Sequence, residues 1–126
     1  MAAKRILIID DEADIREVAQ LSLEISNDWE VLTAASGQEG LQIAATEKPN
    51  AILLDVMMPD MDGPATWQHL RENPATQNIP VIFLTAKVQA TEQRRYAQLG
   101  VTAVLTKPFD PVTLADRVAE ALNWTS

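Results

Sequence analysis

No cysteine occurs in the 126-residue chain, and histidine occurs once, as His69. The first absence removes disulfide frameworks, thiolate zinc sites and cysteine nucleophiles, and is compatible with a reducing compartment. The second leaves imidazole-rich metal centres and histidine-based triads almost nothing to work with. Positive charge is scarce too: 10 Lys and Arg stand against 18 Asp and Glu, a formal net charge of −8. Such a charge repels phosphate backbones and anionic lipid, so no direct nucleic-acid or membrane contact is expected; cations are what it attracts. Long apolar runs are also missing. Ile6–Ile9 is cut short by Asp10 and Asp11, well below the ~7–15 apolar residues of a secretory signal core, and nothing approaches the ~20 of a membrane span. A cytoplasmic protein is expected.

What is present suits a single folded domain over residues 1–126. Hydrophobic residues make up 47% of the chain, too many for wholesale disorder. Four short runs, Ile6–Ile9, Ala51–Leu54, Val81–Leu84 and Val101–Leu105, are rich in branched residues and lack polar alternation. They read as strands buried on both faces of a parallel sheet. The more mixed Trp29–Ala34 reads as a strand nearer an edge.

Helical patterns separate these runs. Ile15, Val18, Leu21 and Ile25 fall at steps of three and four and predict the buried stripe of a first helix. Ser36-Gly-Gln-Glu39 fits a capping box, followed by Leu41, Ala44 and Ala45. Asp62-Gly63-Pro64 opens a third helix through Trp67, His69 and Leu70, ended at Asn73-Pro74. A fourth is expected from about Val88 to Leu99, stopped by Gly100. A fifth is expected from Asp110-Pro111, with Leu114, Ala115, Val118, Ala119 and Leu122 as its stripe. Five strand–helix units in alternation predict an α/β, doubly wound parallel sheet with helices on both faces and a working site at the carboxyl ends of the strands.

Those ends carry Asp10 and Asp11, Asp55, Thr85 and Lys107. A lone Asp or Thr in such a place is commonly a cap; the set, at four strand ends, is not what capping produces. Three neighbouring carboxylates call for a hard divalent cation such as Mg²⁺. Lys107 adds a charge that pairs with a carboxylate or a phosphoryl oxygen, and Thr85 a neutral donor.

The runs Ile-Leu-Ile-Ile-Asp10-Asp11-Glu12, Leu-Leu-Asp55-Val-Met-Met-Pro59-Asp-Met-Asp62-Gly63, Pro80-Val-Ile-Phe-Leu-Thr85-Ala86 and Lys107-Pro108-Phe109, with the intervals between them, resemble the receiver domain of bacterial response regulators. The resemblance spans essentially the whole chain and implies the CheY-like, flavodoxin-like (βα)5 fold with strand order 2-1-3-4-5, an order general to that class. It implies that Asp55 accepts a phosphoryl group from a histidine kinase or histidine phosphotransfer protein. Asp11 would then bind Mg²⁺ directly and Asp10 mainly through water, with Asp55 and the carbonyl of Met57 completing the ligands. Lys107, joined to Pro108 by a cis peptide, would hold a phosphoryl oxygen, Thr85 would carry the signal toward the fourth helix, fifth strand and fifth helix, and Ala86 would leave room. A protein partner on that surface, or a homodimer, would receive the output, and no independent turnover is expected.

Three positions refine the resemblance. Val104 stands where receivers usually have an aromatic that swings with the threonine, so Thr85 couples by backbone movement or the output depends more on a partner. Met57 and Lys87 flank the line of water attack on an acyl phosphate, and apolar Met57 predicts a long-lived one. His69, Trp29 and Trp67 read as packing or surface residues, and Trp124 as either a partner anchor or a partly packed terminal ring. Two alternatives remain: the receiver of a longer DNA-binding or enzymatic regulator, and a phosphatase with an aspartyl intermediate. The second lacks its Asp-x-Asp signature, since Val56 and Met57 follow Asp55. A nucleotide-binding fold lacks its Gly-rich loop after the first strand.

Overall fold

The computed structural model describes residues 4–26, 29–86 and 89–124. Five strands, β1 (Arg5–Ile9), β2 (Glu30–Ala34), β3 (Ala51–Asp55), β4 (Val81–Thr85) and β5 (Ala103–Thr106), alternate with five helices, α1 (Ala13–Ser26), α2 (Gly37–Glu47), α3 (Gly63–Glu72), α4 (Ala90–Leu99) and α5 (Leu114–Leu122). All strand pairs are parallel, in the order β2-β1-β3-β4-β5.

Side chains that alternate along each strand divide the core in two. Leu7, Ile9, Ile52, Leu54, Val81 and Phe83 point to the face covered by α2, α3 and α4, through Ala44, Trp67, Leu70 and Tyr96. Ile6, Ile8, Leu53, Ile82 and Leu84 point to the face covered by α1 and α5, through Ala19, Leu23, Leu114, Ala115 and Val118. Strands buried on both sides explain the unbroken apolar runs of β1, β3 and β4. Each fully buried aliphatic side chain contributes roughly 1.5–3 kcal/mol.

Local chemistry sets the helix starts. Ser36 accepts from the Glu39 N–H at 3.1 Å, and the Glu39 carboxylate accepts from the N–H of Ala35 at 2.7 Å, a capping box whose return bond falls one residue before the cap. Asp62 caps α3 by accepting from the Ala65 N–H, with Pro64 in the first turn. Gly100 ends α4 at φ +98°, a left-handed conformation that a Cβ disfavours.

Four expectations need correction. The stripe predicted for α1 is its outer face: Val18, Leu21 and Ile25 are exposed, Ile25 at 80%, while Ala19 and Leu23 are buried and Ile15 half-buried. Val18, Leu21 and Ile25, with Ser22, Pro111 and Val112, line a groove of about 420 Å³. The run Val101–Leu105 is not buried on both faces, because β5 is the second edge of the sheet and its residues are half-buried or exposed. The fifth helix starts at Leu114, not Asp110: the Asp110 carboxylate accepts from the Val112 N–H and the Thr113 N–H donates to the Asp110 carbonyl, which makes a turn ahead of the helix. The fourth helix begins at Ala90; Val88 and Lys87 lie outside the described residues.

Trp124 packs edge-to-face on Trp29, centroids 5.3 Å apart, with the Lys4 ammonium 5.0 Å from its ring centroid. It is a packed terminal ring. Trp67 is buried and His69 is exposed near Glu72.

Candidate functional site

The polar residues that end the strands meet at one edge of the sheet. β1 hands over to Asp10, β3 ends on Asp55 and β4 on Thr85; all three are buried, at 1%, 2% and 0% exposure. Lys107 follows β5, its N–H donating to the Thr85 carbonyl at 2.8 Å, which continues the β4–β5 ladder and sends the side chain across the sheet edge. The Lys107–Pro108 peptide is cis. Asp11, one residue beyond Asp10, is exposed at the rim.

Lys107 is the hub. Its Nζ lies 2.9 Å from Asp10 Oδ2, 3.2 Å from Asp55 Oδ1 and 3.7 Å from Glu12 Oε1. Asp10 Oδ1 accepts from the Glu12 N–H at 2.8 Å, and Asp55 Oδ1 accepts from the Met57 N–H at 3.2 Å. Asp55 Oδ2 is buried and accepts no hydrogen bond. A buried carboxylate oxygen with no donor is costly, and it marks the point where a cation or a reacting group fits.

Burial raises the Asp55 carboxyl from its ordinary 3.8 to about 6; repulsion from Asp10 adds to this, and attraction to Lys107 and the Met57 N–H oppose it. At neutral pH it is mostly ionised, held in a place that disfavours the charge. Burial pulls the Lys107 ammonium down, but hydrogen bonding and attraction to Asp10, then to Asp55, raise it overall. The lysine is therefore a fixed cation.

Oxygen atoms of Asp10, Asp11 and Asp55 all lie within 4.8 Å of one another. Three hard carboxylate donors, one of them with a buried oxygen lacking any partner, fit a divalent cation of the Mg²⁺ type. Met57 is 58% exposed beside Asp55, and Ala86 is exposed at the end of β4. Lys87 lies outside the described residues.

Three supporting residues were not singled out from the sequence. Glu12 is the third acid against Lys107. Arg16, one turn into α1, donates to the Asp10 carbonyl at 2.7 Å and fixes the bend after β1. A Cβ on Gly63 would fall 2.7 Å from Val56 Cα and 2.8 Å from the Asp55 carbonyl oxygen, so only glycine lets α3 start against the tip of β3, where the Gly63 N–H donates to the Val56 carbonyl. The Asp-Gly-Pro motif flagged the helix start, but the close approach depends on the fold.

Comparisons with known proteins agree with this geometry. Residues 6–119 match the Response regulator receiver domain family. The chain is 40% identical over 120 residues to the alkaline phosphatase synthesis transcriptional regulatory protein PhoP of Bacillus subtilis, covering 95% of this chain and 49% of that protein. It is 39% identical over 122 residues to the probable transcriptional regulator ycf27 of Cyanophora paradoxa, covering 97% and 49%. The chain thus spans about half the length of these curated relatives. Among solved structures, the chemotaxis protein CheY4 of Vibrio cholerae superposes with a TM-score of 0.87 at 30% identity, over 95% of this chain and 99% of that one. With five parallel strands in the shared order and the acidic cluster at their carboxyl edge, the chain belongs to the response regulator receiver domain family.

Proposed function

We propose that this receiver takes its phosphoryl group on Asp55, with Mg²⁺ held by Asp10, Asp11, Asp55 and the Met57 carbonyl. The single observation that carries the assignment is the pairing of a buried, donor-free Oδ2 on Asp55 with a lysine held against its Oδ1. Oδ2 has its lone pairs free to form the new P–O bond as the P–N bond of a phosphohistidine donor breaks and the imidazole leaves with a proton. Lys107 pairs with a phosphoryl oxygen once Asp55 no longer carries a full charge. Thr85 supplies a hydroxyl donor from the neighbouring strand end, and Ala86 leaves space beside it. When bound, Mg²⁺ neutralises charge between the acidic cluster and the anionic donor, the positioning and electrostatics that phosphoryl transfer requires.

The donor is a histidine kinase or histidine phosphotransfer protein, and the output is delivered to a protein partner, or to a second copy, through α4, β5 and α5. The acidic balance supports a protein and not a nucleic acid as the direct contact. Among the described residues no helix is long and apolar enough to cross a membrane, in keeping with a cytoplasmic site of action. We assign the domain no turnover beyond its own phosphorylation and dephosphorylation. The length of the curated relatives supports a second reading, in which the same receiver controls a DNA-binding or enzymatic segment.

Intact-mass measurement after incubation with a small phosphodonor and Mg²⁺ tests the assignment. The parent gains one phosphoryl group and Asp55→Asn gains none; an adduct that persists in Asp55→Asn, or a parent that never forms one, refutes it.

A further inference from the structure

Resting on that assignment, we propose that Tyr96 is a positioning residue for the output, and that the Phe83–Tyr96 ring pair delivers a shift of β4 to α4. Phe83 and Thr85 lie two residues apart on β4 and so project from the same face, the one that α4 covers. Phe83 is fully buried and faces Val104 in the β4–β5 register. Val104 packs against this core layer, and its short branched side chain has no ring to swing. The aromatic group comes instead from α4: Tyr96 is 5% exposed, its ring edge-to-face on Phe83 with centroids 5.4 Å apart. It is the one buried side chain of the helix, whose other inward residues, such as Leu99, are half-buried.

The mechanical path is short. The Val56 N–H donates to the Leu84 carbonyl, so the residue after Asp55 is tied to the residue before Thr85. Charge added to Asp55 acts first on the tip of β4, and the close-packed rings between that strand and α4 have nowhere to dissipate a displacement. Tyr96 is tied within α4 as well, its hydroxyl 3.5 Å from Glu92 Oε2 one turn earlier, so a push on the ring moves the helix as a body.

The test follows amide hydrogen exchange of α4 peptides with and without beryllofluoride and Mg²⁺, a stable phosphoryl mimic, with uptake read separately from tryptophan fluorescence. In the parent and in Tyr96→Phe, which keeps the ring, α4 exchange changes on uptake. Tyr96→Leu and Phe83→Leu take up the mimic with affinity within about twofold of the parent, but their α4 response falls at least threefold. The double substitution loses no more than either alone, as members of one path require. A full α4 response in Tyr96→Leu overturns the proposal, as does a parent that takes up the mimic with no response in α4; both leave the Asp55 assignment standing. No uptake by the parent removes that assignment, and the proposal with it.

Discussion

Ionised Asp55 should destabilise the metal-free fold, and its replacement by Asn should make the protein more stable at neutral pH. Moving a carboxyl from 3.8 to about 6 means that, above both values, ionisation costs the native state about 3 kcal/mol relative to the unfolded chain, at about 1.4 kcal/mol per tenfold change. The direction follows from proton binding. The native carboxyl holds its proton at a pH where the unfolded one has lost it, so stability falls as pH rises from about 4 to about 6, and the deficit is complete above that. Asparagine imitates the neutral acid and keeps an oxygen for Lys107. Urea unfolding in EDTA, followed by tryptophan fluorescence, should give Asp55→Asn a midpoint higher by up to about 1.5 M at pH 7.5, for a slope near 2 kcal/mol per M. At pH 4 the gain should shrink below about 1 kcal/mol. Saturating Mg²⁺ should narrow the gap at pH 7.5, because it binds the ionised parent more tightly than the variant. A midpoint that falls on substitution, or a gain as large at pH 4 as at pH 7.5, would refute the reasoning.

Met57→Asn should shorten the life of the phosphorylated form severalfold, since an amide orients water where the exposed thioether does not; an unchanged decay of the phosphoryl adduct in intact-mass time courses contradicts this. Gly63→Ala should cost about 1–3 kcal/mol and slow phosphorylation, because its methyl meets backbone atoms of Asp55 and Val56 that cannot turn aside; urea unfolding and adduct formation read the two effects. Leu21→Gln and Ile25→Gln should each change stability by less than about 0.5 kcal/mol, and a loss of several kcal/mol at either position would return the outer face of α1 to the core.

The strands could be read from their residues because β1, β3 and β4 are buried on both faces and show no alternation, and the site because charged groups follow those runs immediately. The outer and inner faces of α1 could not be told apart by spacing: Val18, Leu21 and Ile25 form one apolar line, and Ala19 and Leu23 another, four residues apart. Only the docked sheet chooses between them, and it takes the line with the small Ala19. Asp110-Pro111 carries the local signals of a helix start, yet its carboxylate closes a turn first. Arg16 and Gly63 serve the site through contacts that cross loops, and no periodicity reports such contacts.

The sheet has two unlike poles. At its carboxyl pole strand register brings Asp10, Asp55, Thr85 and Lys107 to one level, with Asp55 beside Leu84 and Thr85 beside Thr106. A one-residue slip of β3 would replace Asp55 by an aliphatic at the site and send each core side chain of that strand to the opposite layer, so the register that builds the two cores also builds the chemistry. The connections at the opposite pole, such as Asn73–Pro80 between α3 and β4, carry none of these groups. That segment has its own anchors, the buried Thr76 donating to the Leu70 carbonyl at 2.7 Å and the Pro80 carbonyl accepting from the Ile52 N–H at 3.0 Å, so the lower pole holds the strands in place while the upper one holds the reacting groups.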